Sequence, residues 1–475
     1  MLTYSFVDIG SECLYEHLYQ CIKNDILSGE LQPGERLPSK RGFAKHLNIS
    51  TITVENAYLQ LMAEGYIRSV PKKGYFVEEL VRPVEEKFNV QGKHSGEIRE
   101  EERFFADFLS NRMRRENFPF SVWARLMREV ISQQSDELMT IPPGAGIWPL
   151  REAIAKHLLQ FRGMQVQPEQ ILVGAGTEYL YGLLVQLLGR ERIFAVEDPG
   201  YRKLERIYQS YQAKQRFIPL DEQGICVDAL EQSGADLVHI SPNHHFPTGR
   251  VTPIGRRYEL LAWANRREGR YVIEDDYDCE FRLQGRPIPA LQSIDVMEKV
   301  IYMNTFTKSL APTIRISYMV LPLHLLQAFQ KRLGFYACTV STFEQYTLAK
   351  FLEEGYFEKH LNRMRNTYRA LRNQLLSAIR SSPLAAVSRI REEEAGLHFL
   401  LWVETKMTDE EIVRRCACEG LCVSCLSQYC HNPQPETEHT LVLNYSGIAE
   451  EQIPMAVERL NRALLKVNLS AEKEG

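Results

Sequence analysis

Val300-Ile-Tyr-Met-Asn-Thr-Phe-Thr-Lys-Ser309 begins as a short apolar, partly β-branched run and ends in hydroxyl residues gathered around a lysine. A run of that length, closed by polar residues, fits a buried strand over Val300 to Met303 and places Lys308 just past the strand's carboxyl end. Working outward, Glu274-Asp-Asp-Tyr277 follows the run Tyr271-Val-Ile273 in the same manner, and Gly174-Ala-Gly-Thr177 joins Ile171-Leu-Val173 to a helical pattern. Two more short runs, Ile193-Phe-Ala-Val196 and Leu237-Val-His-Ile240, alternate with helical stretches. Such alternation predicts a mostly parallel α/β sheet covered on both faces, whose ligands sit beyond the carboxyl ends of the strands. From about residue 326 onward, a long helical stretch from Phe357 to Ile379 and strands near Leu397 to Val403 and Leu441 to Tyr445 predict a smaller α+β lobe.

The amino-terminal part reads differently. Leu14, Leu18, Cys21, Ile22 and Ile26 recur at helical spacing and stop at Gly29. Ser39 can cap a second short helix that carries Phe43, Ala44 and Leu47 inward, and Ser50 a third with Val54, Ala57, Tyr58, Leu61 and Met62 on one face. Two helices around a tight turn make a helix-turn-helix candidate. Tyr66 to Val70 and Gly74 to Val77 then read as a hairpin with Pro71-Lys-Lys73 at its tip, the shape of a wing. The expected organisation is a winged helix-turn-helix over residues 1–78, a charge-dense linker over 79–103, and a larger body over 104–475, with a large lobe at about 140–325 and a small lobe at about 326–475. Phe104, Phe105, Phe108 and Phe118 predict a segment that docks where the polarity falls.

With 475 residues, 44% hydrophobic and 25% charged, the chain holds more than one folding unit and is not a disordered low-complexity polymer. No basic and apolar leader opens it, and no uncharged run approaches about 18 residues, so no membrane segment and a cytoplasmic location are expected. The net charge of -4 argues against a general polyanion binder. Between Arg36 and Tyr75, however, lysine and arginine outnumber glutamate by five. Cys416, Cys418, Cys422, Cys425 and Cys430 crowd together beside His431, but without two separated CxxC knuckles they read as small buried residues, and no metal is expected.

In a helix-turn-helix the second helix enters the major groove by its amino-terminal residues. Ser50, Thr51 and Thr53 hold those positions, and Lys72, Lys73 and Gly74 on the wing tip can meet phosphate or the minor groove of double-stranded DNA. The alternative is an interaction module whose hydroxyls only cap helices. For the larger body, a pyridoxal phosphate site needs a lysine amine for a Schiff base, a carboxylate for the pyridine nitrogen and donors for the phosphate. Lys308, the acidic residues after Ile273 and the Gly174 to Thr177 turn supply each in order. Singly they read as a surface lysine, a solvated strand end and an ordinary turn.

Gly29-Glu-Leu-Gln-Pro-Gly-Glu-Arg-Leu-Pro-Ser39, Ser50 to Val54 and Leu61-Met-Ala-Glu-Gly-Tyr66 resemble the winged helix of the GntR family, which implies a phosphate contact by Arg41. Thr51 stands where that family often has arginine. The larger body resembles the fold-type I aminotransferases, and the two together resemble the MocR/GabR branch of GntR regulators. That resemblance implies a Schiff base at Lys308, Asp275 against the pyridine nitrogen, Tyr277 on the phenolic oxygen, Tyr201 stacked on the ring, and Gly176, Thr177, Thr305 and Arg315 on the phosphate. It also implies a homodimer. Phe246 replaces the asparagine usual before Pro-Thr-Gly, for which Asn243 or His245 could compensate, and Asn444-Tyr-Ser-Gly447 lacks the arginine that clamps a ligand carboxylate. The expected function is transcription controlled by pyridoxal phosphate or by a small amine or amino acid. The alternative is a working aminotransferase carrying a DNA-binding domain.

Overall fold

A computed structural model describes residues 2–4, 6, 13–80, 104–110, 112–283, 288–391 and 396–465. The chain divides into two compact units, Met1–Glu100 and Glu101–Gly475. The linker expected over 79–103 lies, apart from Glu79 and Leu80, outside the described residues.

The first unit runs α1 (Leu14–Ser28), β1 (Arg36–Leu37), α2 (Lys40–Leu47), α3 (Thr51–Ala63), β2 (Ile67–Val70) and β3 (Gly74–Val77). Gly29 ends α1 at a φ of 84°, a left-handed turn that a side chain would resist. The Gly42 N–H donates to Ser39 Oγ at 3.2 Å and the Thr53 N–H to Ser50 Oγ at 3.0 Å, so both expected serine caps form. Leu18, Ile22, Phe43, Val54, Tyr58 and Leu61 close one core, and Tyr58 Oη donates to the Pro38 carbonyl at 3.0 Å, fixing α3 against the turn before α2. The strands pair antiparallel in the order β1-β3-β2. The first wing strand starts one residue later than predicted, because the Tyr66 N–H is spent on the Leu61 carbonyl in closing α3.

In the second unit a short β4 (Ala106–Asp107) precedes α4 (Phe120–Gln133), α5 (Ser135–Leu138) and α6 (Trp148–Arg162). An eight-stranded sheet follows, built from β5 (Ile171–Ala175), β6 (Ile193–Asp198), β7 (Lys214–Asp221), β8 (Gly224–Ile225), β9 (Leu237–Ile240), β10 (Tyr271–Asp275), β11 (Val300–Thr305) and β12 (Ile316–Val320). Its order is β5-β12-β11-β10-β9-β6-β7-β8. β6, β7, β9, β10 and β11 run parallel, whereas β12 pairs antiparallel with both β11 and β5. Side chains alternate across the sheet as strand geometry demands. Val173, Tyr302 and Tyr318 meet Ile154 and Leu158 of α6 on one face. Leu172, Ile301 and Met319 meet α7 (Thr177–Leu188) and α8 (Arg202–Ser210) on the other.

The five predicted strands are present. β7 and β12 were not predicted: β7 is a charge-rich strand near the sheet edge and β12 is a short buried run, and neither carries a decisive period. The carboxyl-terminal part contributes the helix Tyr356–Arg380 and β13 (Ser388–Arg391), β14 (His398–Val403), β15 (Leu421–Cys422), β16 (Ser424–Cys425) and β17 (Thr440–Asn444). β13-β14-β17-β16 form an antiparallel sheet, and β15 pairs with β4. Phe108 is buried in the core of this lobe together with Cys416 and Cys425, while Phe118 packs edge-on against Phe120 at 4.8 Å and against Trp123 beside the large-lobe core.

The end of α6 is pinned to the end of β10 by a buried ion pair, with Arg162 Nη2 2.6 Å from Asp276 Oδ2 and both side chains 2% exposed. Tyr302 Oη donates to the same carboxylate at 2.9 Å and Asn243 Nδ2 at 2.8 Å. Asp276→Asn would strand the arginine charge in the interior, and losses of about 3–5 kcal/mol are usual for such breaks. The variant is expected to lower the urea midpoint of the second unit; an unchanged midpoint would refute a structural role for the pair.

Candidate cofactor site and DNA-contacting face

Because β5, β6, β9, β10 and β11 point the same way, their carboxyl ends deliver five loops to one edge of the sheet. A cavity of about 290 Å³ opens there, lined among others by Thr177, Tyr201, Asp275, Tyr277, Thr305, Lys308 and Arg315. Gly176 stands behind the wall at a φ of 91°, and a Cβ on it would fall 2.5 Å from Arg315 Nη2. The glycine therefore lets the guanidinium lie against the start of α7, whose unpaired N–H groups favour an anion.

Lys308 sits on the helical turn Phe306–Ser309 that continues β11. Thr305 Oγ1 accepts from the Thr307 N–H at 3.1 Å and from Ser317 Oγ at 2.7 Å, so this hydroxyl is largely committed to fixing the turn. Lys308 Nζ has no hydrogen-bond or ion-pair partner among the described residues, and burial pushes its pKa below the usual lysine value against the pull of Asp278 and Asp275. A half-buried amine without a partner among the described residues holds more of its neutral, nucleophilic form.

Asp275 Oδ2 accepts from Tyr181 Oη and lies 3.4 Å from His239 Nε2, while His239 Nδ1 is 2.7 Å from Tyr208 Oη. Burial, with the carboxylate of Asp275 adding to it, holds both tyrosines protonated far above the ordinary phenol range. The other oxygen, Asp275 Oδ1, is buried with no partner among the described residues. An orphan carboxylate oxygen costs free energy until a donor meets it, and a protonated pyridine nitrogen is such a donor. The donor set therefore fits pyridoxal phosphate. Tyr277 Oη lies 3.3 Å from His244 Nδ1, which is also 2.8 Å from Asp278 Oδ2.

Phe246 lines the cavity and stands edge-on to Tyr201 at 6.0 Å and to Tyr429 at 5.1 Å. Neither residue expected to compensate for it reaches the cavity. Asn243 is held by Glu274, Asp276 and Arg257 at 2.8–3.3 Å. His245 Nδ1 lies 2.7 Å from Thr248 Oγ1, and burial lowers its pKa to about 3. Burial also raises Glu197 to about 8, so the 3.4 Å approach of His245 to Glu197 is a neutral contact rather than an ion pair. Tyr445 is buried and donates to the Gly396 carbonyl at 2.6 Å, away from the cavity. Arg202 and Lys203 of α8 are the lining residues that, with Lys308 and Arg315, carry positive charge.

Tyr181, His239 and Tyr429 are wall residues that sequence reasoning missed. A histidine inside the otherwise apolar Leu237–Ile240 was a usable signal, since a polar residue in a buried strand needs a partner. Tyr181 follows Thr177 by one helical turn, and Tyr429 comes from the distant small lobe.

On the first unit, Thr53 Oγ1 lies 2.8 Å from Ser50 Oγ, so the two hydroxyls serve the cap and each other, while Thr51 is exposed. Lys72 occupies the wing tip at a φ of 62°, and Gly74, at 116°, makes room for the Arg36 guanidinium, whose Nε would be 3.2 Å from a Cβ there. Arg41 is exposed on α2.

The family of bacterial regulatory proteins named gntR matches residues 14–77, and the family Aminotransferase class I and II matches residues 106–460. The HTH-type transcriptional regulator YdeL of Bacillus subtilis is 37% identical over 451 residues, 95% of this chain and 96% of that protein. The regulatory protein MocR of Rhizobium meliloti is 31% identical over 472 residues, 96% of this chain and 95% of that one. A kynurenine aminotransferase of Pyrococcus horikoshii shares the fold, with a TM-score of 0.67 and 23% identity over 76% of this chain and 91% of its own. A gntR-type helix-turn-helix joined to an aminotransferase body, with full-length relatives of the same build, places the chain in the MocR type of transcription regulators.

Proposed function

We propose that this regulator binds pyridoxal phosphate at Lys308 and presents its winged helix to double-stranded DNA according to what that site holds. Asp275, whose Oδ1 has no partner among the described residues, lines the same cavity as Lys308, whose amine has none there either, and this carries the reading. When bound, the cofactor supplies an aldehyde carbon that condenses with a primary amine. Asp275 would hold the pyridine nitrogen protonated, braced by Tyr181 and by the His239–Tyr208 pair. Tyr277 would face the phenolic oxygen and Tyr201 the ring. Thr177, the α7 N–H groups beside Gly176 and Arg315 would hold the phosphate, with Thr305 shaping the turn beneath it.

The sensed ligand is the cofactor itself or a small amine or amino acid that reaches it past Phe246 and Tyr429. Control requires that this ligand favour one arrangement of the protein over another. A homodimer is part of the proposal. Met139, Ile141 and Phe335 are each 78% exposed, and Gly144 lies directly under the Tyr336 carbonyl, so the two segments form one apolar surface suited to a second copy. Arg41, Thr51, Lys72, Lys73 and Gly74 are the proposed DNA contacts, with Ser50 and Thr53 orienting the start of α3. Lys308 and Asp275 together also retain the minimum for transamination, and steady release of a keto acid from an amino acid would favour a working enzyme.

Borohydride reduction of the protein with pyridoxal phosphate is expected to leave one stable adduct, located at Lys308 by peptide mass mapping and absent from Lys308→Ala; an unmodified Lys308 in the parent would overturn the cofactor proposal. Asp275→Asn, which keeps the shape but loses the charge, is expected to shift the visible absorption of the bound cofactor, and an unchanged spectrum would exclude the pyridine contact. Arg41→Ala is expected to weaken binding to the gene's own upstream DNA and to reduce the salt dependence by about one phosphate contact. Equal affinity and equal salt slope would remove Arg41 from the interface.

A further inference from the structure

Ile52 is 68% exposed at the second position of α3, in the stretch that a helix-turn-helix presents to the groove. Its neighbours do not explain the exposure. Val54, Ala57, Tyr58 and Leu61 fill the core from the opposite side of the helix, and Ser50 and Thr53 consume their hydroxyls in the cap. One and two turns further on, Asn56 and Leu59 continue the outward stripe, with Asn56 exposed and making no hydrogen bond to a described residue. Over residues 36–75 the charge not tied up in ion pairs between described residues is one-signed. Arg36, Arg41, Lys45, Lys72 and Lys73 are exposed and form no ion pair with a described residue, whereas Glu55 is tied to Lys40 at 2.5 Å and Glu64 to Lys23 at 3.0 Å.

An exposed, partly apolar stripe on a unit whose uncommitted charges over residues 36–75 are all cationic is complementary to the major groove, where phosphates flank the floor and the thymine C5-methyl is the apolar group on offer. We propose that Ile52 reads thymine by packing on its C5-methyl, and that Asn56 pairs with the N6 and N7 edge of an adenine one helical turn further along. The preferred half-site thus contains A·T pairs at the positions facing the start of α3. This rests on the DNA-binding reading above and adds to it the base and the residue that selects it.

The test uses the full-length protein with pyridoxal phosphate and a randomised double-stranded DNA pool. Enriched sequences are expected to share thymines, and replacing each in turn by deoxyuridine, which lacks only the methyl, should weaken binding about fourfold at a contacted position, as expected for one methyl-sized apolar group. Ile52→Ala, on an exposed position, should bind the thymine and deoxyuridine probes equally. Enrichment without any deoxyuridine effect would overturn the thymine contact alone. No enrichment at all would overturn the DNA reading and this inference with it. An Ile52→Ala protein with an unchanged deoxyuridine response but an altered oligomeric state would show that the stripe meets protein instead.

Discussion

Desolvation at the carboxyl edge of the sheet is the constraint on which the second unit turns. Asp275 is buried and Lys308 half-buried at the cavity wall, and neither is fully satisfied: the amine has no hydrogen-bond or ion-pair partner among the described residues, and one carboxylate oxygen has none there either. Buried polar atoms left in that state are costly, and the surrounding fold has to hold them there. The Arg162–Asp276 pair, Tyr302 and Asn243 lock the residue next to Asp275, while Tyr181 and His239 brace its other oxygen. A ligand carrying both an aldehyde and a protonated ring nitrogen would relieve both deficits at once, which is the physical content of the proposed cofactor site.

The first unit solves a different problem with fewer residues. It buries a small core and leaves its recognition helix to be positioned by caps and by single contacts such as Tyr58 to Pro38. Ser50 and Thr53 are then structural hydroxyls, and the chemistry open to a partner is that of Thr51, Ile52 and Asn56 within a field of unpaired cations. On the proposed reading, methyl contact by Ile52 and amide pairing by Asn56 act beside the exposed Thr51 hydroxyl.

Much of this was legible along the chain. Serine caps, the left-handed Gly29 and the period of α1 and α3 are local properties, decided by backbone geometry within a few residues, so α1 ends where the sequence indicated. Strands β5, β6, β9, β10 and β11 announced themselves as short apolar runs, and the lysine, the acidic pair and the glycine turn followed them at fixed offsets. β7 and β12 were hidden because a charge-rich strand near the sheet edge and a short buried run lack a clear period. The expected compensation for Phe246 by Asn243 or His245 failed for a related reason: adjacency in sequence does not say which way a side chain turns in an irregular loop.

The sequence by itself determined the two modules and their order, and singled out the candidate reactive groups, since these depend on residue type and short-range spacing. Only the tertiary structure decided that Asp275 keeps one oxygen bare, that His239 and Tyr181 occupy its other side, that Tyr429 and Phe246 meet across residues far apart in the chain, and that Ser50 and Thr53 satisfy each other while Ile52 stays in water. Each of these is a matter of which hydrogen bonds are already spent and which surfaces are already covered. Strand order and packing settle that, because burial is a property of neighbours in space rather than of neighbours along the chain.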